Sequence, residues 1–84
     1  MNEKIFRALV EAGAVKDINI VADGSRFHVR INTINGSATA STVKGGVKTW
    51  GSLDSAAKWV RTMGIGKASV DIVHWQPGQR GMNI

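Results

Sequence analysis

Apolar residues spaced three and four positions apart predict a helix in the second half of the chain. They recur on one helical face at Leu53, Ala56, Ala57, Val60 and Met63. Ser52 stands at the N-cap position, where its hydroxyl can accept a hydrogen bond from a backbone N–H of the first turn. Gly64 follows the last apolar position and suits the left-handed conformation that ends a helix. The segment 49–65 is therefore predicted to form a capped amphipathic helix between two strands.

A second helix is predicted near the start of the chain, over residues 3–12. Its apolar face is predicted to carry Ile5, Ala8, Leu9 and Ala12. Asn2 suits the N-cap, and Gly13 suits the end of the helix.

The remaining segments change to a period near two, which is typical of strands with one buried face. Four strands are predicted at residues 15–22, 26–32, 37–43 and 67–75. Asp23-Gly24 and Asn35-Gly36 are dipeptides that favour tight hairpin turns. With Asn35-Gly36 as a two-residue loop, Ile31 would lie opposite Ala40.

This order predicts an α+β domain of two layers, arranged α-β-β-β-α-β over residues 1–75. The sheet is expected to be mostly antiparallel with four strands, and both helices are expected to cover one face. The covered face would carry Phe27, Val29, Ile31 and Ile72. The other face would be open to water, as antiparallel sheets allow, with Arg26, His28, Arg30, Asn32, Thr39 and Ser41. Residues 76–84 are expected to be a flexible tail.

The charge distribution suggests a use for the open face. The formal net charge is +5, and no acidic residue lies between Asp23 and Asp54. This middle third contains four cations, Arg26, Arg30, Lys44 and Lys48. A basic face of this kind attracts nucleic acid or another polyanion. A solvated face that keeps a small protein soluble would explain the same charges.

Two ring side chains extend this candidate interface. His28 lies between two arginines on its strand, and Trp75 ends the last strand in phase with Ser69 and Asp71 rather than with the core positions. Trp75 is therefore predicted at the rim of the open face, where an aromatic ring can stack on a base. Packing of Trp75 over the core would account for its position equally well. The candidate nucleic-acid contacts are Arg26, His28, Arg30, Lys44, Lys48 and Trp75.

The sequence contains no recognisable catalytic or metal-binding constellation. Cysteine is absent, which excludes disulfides and thiolate metal sites. His28 and His74 lie on different predicted strands without a third metal ligand. Ser52 is explained by helix capping, and the glycine-rich segment 44–48 lacks the pattern of a phosphate-binding loop. We predict a protein that is not an enzyme and uses no cofactor or metal.

The chain shows neither a signal peptide nor an apolar run of the ~18 residues that would span a membrane. A cytoplasmic protein without a membrane partner is therefore expected.

Several segments carry a family resemblance: residues 8–15 and 21–29, residues 48–61, and residues 75–81 with the sequence Trp-Gln-Pro-Gly-Gln-Arg-Gly. Together they resemble the small ParC-type partition-associated proteins of broad-host-range plasmids and integrating elements. The resemblance implies a bacterial accessory protein of plasmid or mobile-element maintenance, encoded beside partition or resolution genes. It implies co-encoded partition proteins as partners and supplies no catalytic residue.

Two functions from different classes follow from these patterns. The first is a non-enzymatic maintenance protein that binds nucleic acid, with DNA the expected form, through the basic open face. The alternative is a protein–protein adaptor or a homodimeric module without DNA binding. Its contacts would be the edge of the strand at 37–43 or an apolar patch around Trp50 and Trp59.

Overall fold

The computed structural model describes residues 1–76. It contains helices α1 (Glu3–Glu11) and α2 (Leu53–Thr62) and strands β1 (Val15–Gly24), β2 (Arg26–Thr33), β3 (Gly36–Thr39) and β4 (Ser69–Trp75). The predicted α+β class and the order α-β-β-β-α-β are confirmed. The tail expected at 76–84 lies, apart from Gln76, outside the described residues.

The four strands form one sheet in the order β3-β2-β1-β4. β2 pairs antiparallel with both β1 and β3, whereas β4 lies parallel to β1. The parallel pairing arises because α2 carries the chain back along the sheet, so that β4 starts from the same end as β1. The sheet is therefore mixed, with two of its three pairings antiparallel.

The hairpin between β2 and β3 differs from the predicted register. Thr33 lies opposite Gly36 and Ile31 opposite Ala38, so the loop residues are Ile34 and Asn35 and the predicted pairing of Ile31 with Ala40 is wrong. The Thr33 hydroxyl closes this loop: Oγ1 accepts from the Asn35 N–H at 3.1 Å and donates to the Gly36 carbonyl at 2.9 Å. Because the register moves by two positions, each side chain keeps its predicted face.

Helix α1 begins as predicted but turns a different face inward. Asn2 caps it by accepting from the Ile5 N–H at 2.9 Å. The fully buried residue is Phe6, whereas Ile5 is 51% exposed and Ala8 and Ala12 are also exposed. The predicted face is therefore wrong. The ring of Phe6 packs 5.4 Å from that of Trp59 on α2, and this aromatic contact sets how α1 lies on the core.

The core lies between the helices and one face of the sheet. Its buried residues are Phe6, Ile18, Ile20, Ala22, Phe27, Val29, Ile31, Ala40, Ala56, Val60 and Met63. The predicted core positions on β2 are confirmed. Ile72 on β4 was also expected in the core but is 52% exposed, because α2 packs over β1 and β2 and β4 is an edge strand.

Helix α2 has the predicted caps but buries only part of its apolar face. Ser52 Oγ accepts from the Ser55 N–H at 3.1 Å, and Gly64 has a φ of 99°, as a left-handed C-terminal glycine requires. Ala56, Val60 and Met63 are buried. Leu53 and Ala57 remain exposed on the flank of the helix that faces β4.

The chain leaves the sheet after Thr39, earlier than predicted. Residues 41–47 form a small hairpin closed by a bridge between Ser41 and Val47. The chain then returns to β2, where Trp50 and Phe27 exchange two backbone hydrogen bonds of 2.8 and 2.9 Å. Met1 binds this outer edge through its amino group, which donates to the Thr39 carbonyl at 2.8 Å, and its carbonyl, which accepts from the Ser41 N–H at 2.7 Å.

The orientation of α1 can be tested by a pair of neighbouring substitutions. Phe6→Ala is expected to lower the free energy of unfolding by about 3–5 kcal/mol, because it leaves a cavity in the core. Ile5→Ala is expected to change it by less than about 0.5 kcal/mol. Urea unfolding followed by circular dichroism measures both. Should Phe6→Ala fail to fold, Phe6→Leu, with an expected loss of up to about 1.5 kcal/mol, takes its place. Equal losses at both positions would contradict the observed orientation.

Candidate nucleic-acid interface

Three of the predicted contact residues form one row on the open face of the sheet. Arg26, His28 and Arg30 occupy alternate positions of β2, opposite in direction to the buried Phe27 and Val29. The two arginines are exposed and His28 is half-buried. We call these three residues the cationic strip. The period-two pattern of the sequence places them correctly because adjacent side chains on a strand point to opposite faces.

The hairpin that follows β3 and the segment that returns from it lie beside one end of the cationic strip. Arg26 Nε donates to Thr49 Oγ1 at 3.0 Å, which orients the guanidinium along the returning segment. A hollow of about 520 Å³ lies here, lined among others by Arg26, His28, Thr39, Val47 and Thr49. The guanidinium and the hydroxyls are hydrogen-bond donors that can bind an anionic oxygen, whereas the carboxylate of Asp23, which also lines the hollow, opposes an anion there.

Acidic side chains occupy the neighbouring half of the open face. Asp17 and Asp23 lie on β1 in phase with each other and outside the buried set, and Asp71 lies opposite Val21 on β4. Asp23 is directly opposite Arg26. The expectation of a one-signed basic face is therefore wrong. The acid-free run of the sequence covers β2 and β3, but pairing brings the acidic strands β1 and β4 beside it.

A row of side-chain hydrogen bonds ties the three longer strands together at one end of this face. Asn32 Nδ2 donates to Asn19 Oδ1 at 2.8 Å and also to a carboxylate oxygen of Asp17. Asn19 in turn donates to the hydroxyl of Ser69 on β4. These amides are used within the sheet, whereas Arg30, which lies opposite Asn19, and Arg26 present their guanidinium groups on the exposed face.

Two predicted contacts do not join the cationic strip in the way expected. Lys44 is exposed on the 41–47 hairpin, beyond the end of β3. Lys48 lies on the helix side, where its Nζ is 5.5 Å from the centroid of the Trp50 ring in a cation–π contact. The residues adjacent to Lys48, Val47 and Thr49, face the opposite way and line the hollow.

Trp75 also lies on the helix side, and its predicted position at the rim of the open face is wrong. Asp71 pairs with Val21, but His74 pairs with Asp23, so β4 contains one extra residue between these two pairs. This irregularity exchanges the faces of the residues that follow it. The Trp75 ring packs 6.1 Å from that of Phe27, and His74 takes the open-face position. The adjacent apolar residues Ile72 and Val73, which interrupt the alternation of apolar and polar positions, are the sequence signal that could have indicated the extra residue.

The other two tryptophans build an aromatic cluster under α1. The Trp59 ring lies 5.0 Å from the Trp50 ring, tilted by 44°, and also contacts Phe6. Trp59 Nε1 donates to Glu3 Oε1 at 3.3 Å, and Arg7 donates to the other carboxylate oxygen at 3.3 Å. The hydrogen bond from Trp59, with that from Arg7 second, lowers the pKa of Glu3. Both indoles are half-buried by this packing, so only part of each ring is exposed at the position of the apolar patch suggested as an alternative.

Comparison of the chain with protein-family models, with curated proteins and with solved structures finds no match in any of the three. Within residues 1–76, no three histidine, aspartate or glutamate side chains are grouped so as to hold a metal ion. In the same range, neither helix has the length and apolar character needed to span a membrane. A function is therefore inferred from the placement of the side chains.

The bond between Trp59 and Glu3 can be tested by titration. Trp59→Phe removes the indole N–H and is expected to raise the pKa of Glu3 toward its ordinary value of 4.5. NMR of the Glu3 carboxyl carbon measures this, with Trp75→Phe, remote from Glu3, as the control that changes nothing. The pKa of Glu3 is lower in the folded protein than in the unfolded chain, so the ionised carboxylate stabilises the fold above pH 4.5. This stabilisation is lost as the pH falls through the pKa that Glu3 has in the folded protein. An unaltered titration in Trp59→Phe would contradict the contact.

Proposed function

We propose that this protein is a non-enzymatic accessory protein that binds the phosphate backbone of nucleic acid through the cationic strip. The observation that carries the proposal is the alignment of Arg26, His28 and Arg30 on the exposed side of one strand. Their neighbours on β3 bear hydroxyls and no acid. Arginine suits this contact because its guanidinium donates paired hydrogen bonds to phosphate oxygens.

The spacing of the arginines supports contact with more than one phosphate. Four residues of extended strand separate Arg26 from Arg30, a distance of about 13 Å at ~3.3 Å per residue. Two guanidinium groups that far apart bind separate phosphates. The Thr49 hydroxyl lies beside Arg26, and Thr39 lies opposite Arg30, so each arginine has a hydroxyl next to it.

The acidic half of the open face limits how the nucleic acid lies. Asp23 and Asp71 would repel phosphates placed over β1 and β4. The backbone is therefore expected to follow β2 and β3 toward the 41–47 hairpin, where Lys44 supplies a further cation. Lys48 and Trp75 face the helix side and are not included.

The proposed binding depends on charge more than on base identity. Because the tryptophan and phenylalanine rings of residues 1–76 lie in the core or on the helix side, His28 is the one ring of the strip that can meet a base or sugar. Phosphate contacts fix position but carry no sequence information directly. The further role in plasmid or mobile-element maintenance, beside co-encoded partition proteins, is supported only by the resemblance to ParC-type proteins, and low sequence preference suits such an accessory role.

A charge-matched pair of double variants tests the cationic strip. Arg26→Ala with Arg30→Ala is expected to weaken DNA binding and to reduce the slope of log K against log salt by about 1.8, since each phosphate that a cation neutralises on duplex DNA adds ~0.9 to that slope. Lys4→Ala with Lys58→Ala removes the same charge from the helices and is expected to leave the slope unchanged. Fluorescence anisotropy with labelled duplex and single-stranded DNA measures both. Equal effects of the two double variants would refute the assignment of this face.

A single substitution of opposite sign tests the role of the acidic half. Asp23→Asn keeps the side-chain shape and removes the carboxylate opposite Arg26. It is expected to strengthen binding severalfold at low salt, and this gain is expected to disappear as salt screens the charges. Asp54→Asn, at the start of α2, is the control for net charge and is expected to have a smaller effect. Weaker binding by Asp23→Asn would show that Asp23 supports the contact.

A further inference from the structure

Strand β4 is the least covered element of the fold. It forms one edge of the sheet, and each of its seven residues is exposed. Four of these residues are large and apolar: Val70, Ile72, Val73 and Trp75. An edge strand with this composition is a ready partner for another strand, because its outer backbone groups are unpaired by the sheet.

A groove on the helix side runs beside this strand. Two adjoining hollows of about 270 and 240 Å³ lie between α2 and β4, and both are lined by Leu53. Ala57 and Val70 line the first hollow, and Ile72 and Trp75 line the second. We call these five residues the β4 groove. It exists because α2 rests on β1 and β2, so the apolar flank of the helix and the edge strand remain uncovered together.

The backbone of β4 presents hydrogen-bonding groups along its outer side. The Gln76 N–H donates to the Gly24 carbonyl at 2.8 Å, so Gly24 directs its polar groups toward β4. The backbone N–H and C=O groups at alternate positions of a strand point the same way, so those of Ile20 also point toward β4. Ile20 lies opposite Val70, and its backbone groups bond to the residues on either side of Val70. Val70 and Trp75 therefore direct their own N–H and C=O groups away from β1.

We propose that a second copy of this chain occupies the β4 groove, its own β4 pairing antiparallel with the first across a two-fold axis. In this arrangement Val70 lies opposite Trp75 of the second copy, and Asp71 lies opposite His74 of the second copy. The two sheets join into one sheet of eight strands, with the helices of both copies on the same side.

The extra residue of β4 makes this register self-complementary. Asp71 and His74 both lie on the open face, and Val70 and Trp75 both lie on the helix side. In an uninterrupted strand, positions three or five residues apart would lie on opposite faces. Here the proposed pairs bring like faces together. Each carboxylate then meets an imidazole, twice by symmetry, and each indole meets an aliphatic side chain.

The hydrogen bonds at the centre of β4 agree with this pairing. The Val73 N–H donates to Asp71 Oδ1 at 3.0 Å, so this donor is satisfied within the chain and requires nothing from a second strand. The pairs formed by Val70 and Trp75 at the two ends of the strand then supply the hydrogen bonds between the copies. The Trp75 ring of the second copy would reach the end of the groove near Ala57 and Arg61.

Sedimentation equilibrium of the full chain over a wide concentration range tests the proposal. A reversible change from the mass of one chain to twice that mass is expected. Val70→Lys places a charge in the groove and is expected to raise the dissociation constant at least tenfold. Val43→Lys adds the same charge at a position that is 98% exposed on the 41–47 hairpin and is expected to have no effect. Circular dichroism confirms that both variants are folded.

A charge exchange tests the register itself. His74→Lys places a cation opposite Asp71 of the second copy and is expected to preserve the dimer, whereas His74→Glu brings two carboxylates together and is expected to weaken it. When either is combined with Asp71→Asn, which keeps an Oδ1 acceptor for the Val73 N–H, this difference is expected to become much smaller. A monomer at every concentration would overturn the proposal, as would a dimer insensitive to Val70→Lys or a difference between His74→Lys and His74→Glu that Asp71→Asn leaves unchanged. None of these measurements includes nucleic acid, so their outcome is independent of the proposed binding by the cationic strip.

Discussion

The antiparallel pairing of β1 with β2 is the interaction on which the rest of this structure depends. It places Ile18, Ile20, Val29 and Ile31 on one side of the sheet, where all four are buried in the core. The other two strands pair with this central pair, β4 with β1 and β3 with β2. The return of the chain from the 41–47 hairpin is also fixed by β2, through the backbone bonds between Phe27 and Trp50.

The same pairing decides the chemistry of the open face. The alternation that buries Phe27 and Val29 exposes Arg26, His28 and Arg30, so the core and the cationic strip are two sides of one strand. Pairing with β1 then sets carboxylates beside these cations. The outcome is a face divided along its length, cationic over β2 and acidic over β1 and β4. A polyanion is directed along one half of such a face, and a uniformly basic sheet would not have this preference.

The helices cover only part of one face of the sheet, and this leaves the β4 groove exposed in addition to the cationic strip on the opposite face. Two short helices cannot cover four strands, and α2 lies over the centre, where burial of apolar area is greatest. Strand β4 is left with apolar side chains on the helix side and with unused backbone groups at its edge. The cationic strip is polar and lies on the opposite side of the sheet from the β4 groove. The two proposed surfaces therefore differ in chemistry and do not overlap.

The sequence by itself determined the element types, their order, the helix caps and the row of Arg26, His28 and Arg30, because periodicity and capping depend on residues close together in the chain. Only the tertiary structure decided which strands are neighbours, and hence that Asp23 lies beside Arg26. It also decided the rotation of α1 toward Phe6, the exposure of Ile72 and the turning of Trp75 to the helix side. The first two features depend on contacts between distant segments, which leave no mark on local periodicity. The third depends on one extra residue in β4, which local periodicity marks only by the adjacent apolar residues Ile72 and Val73.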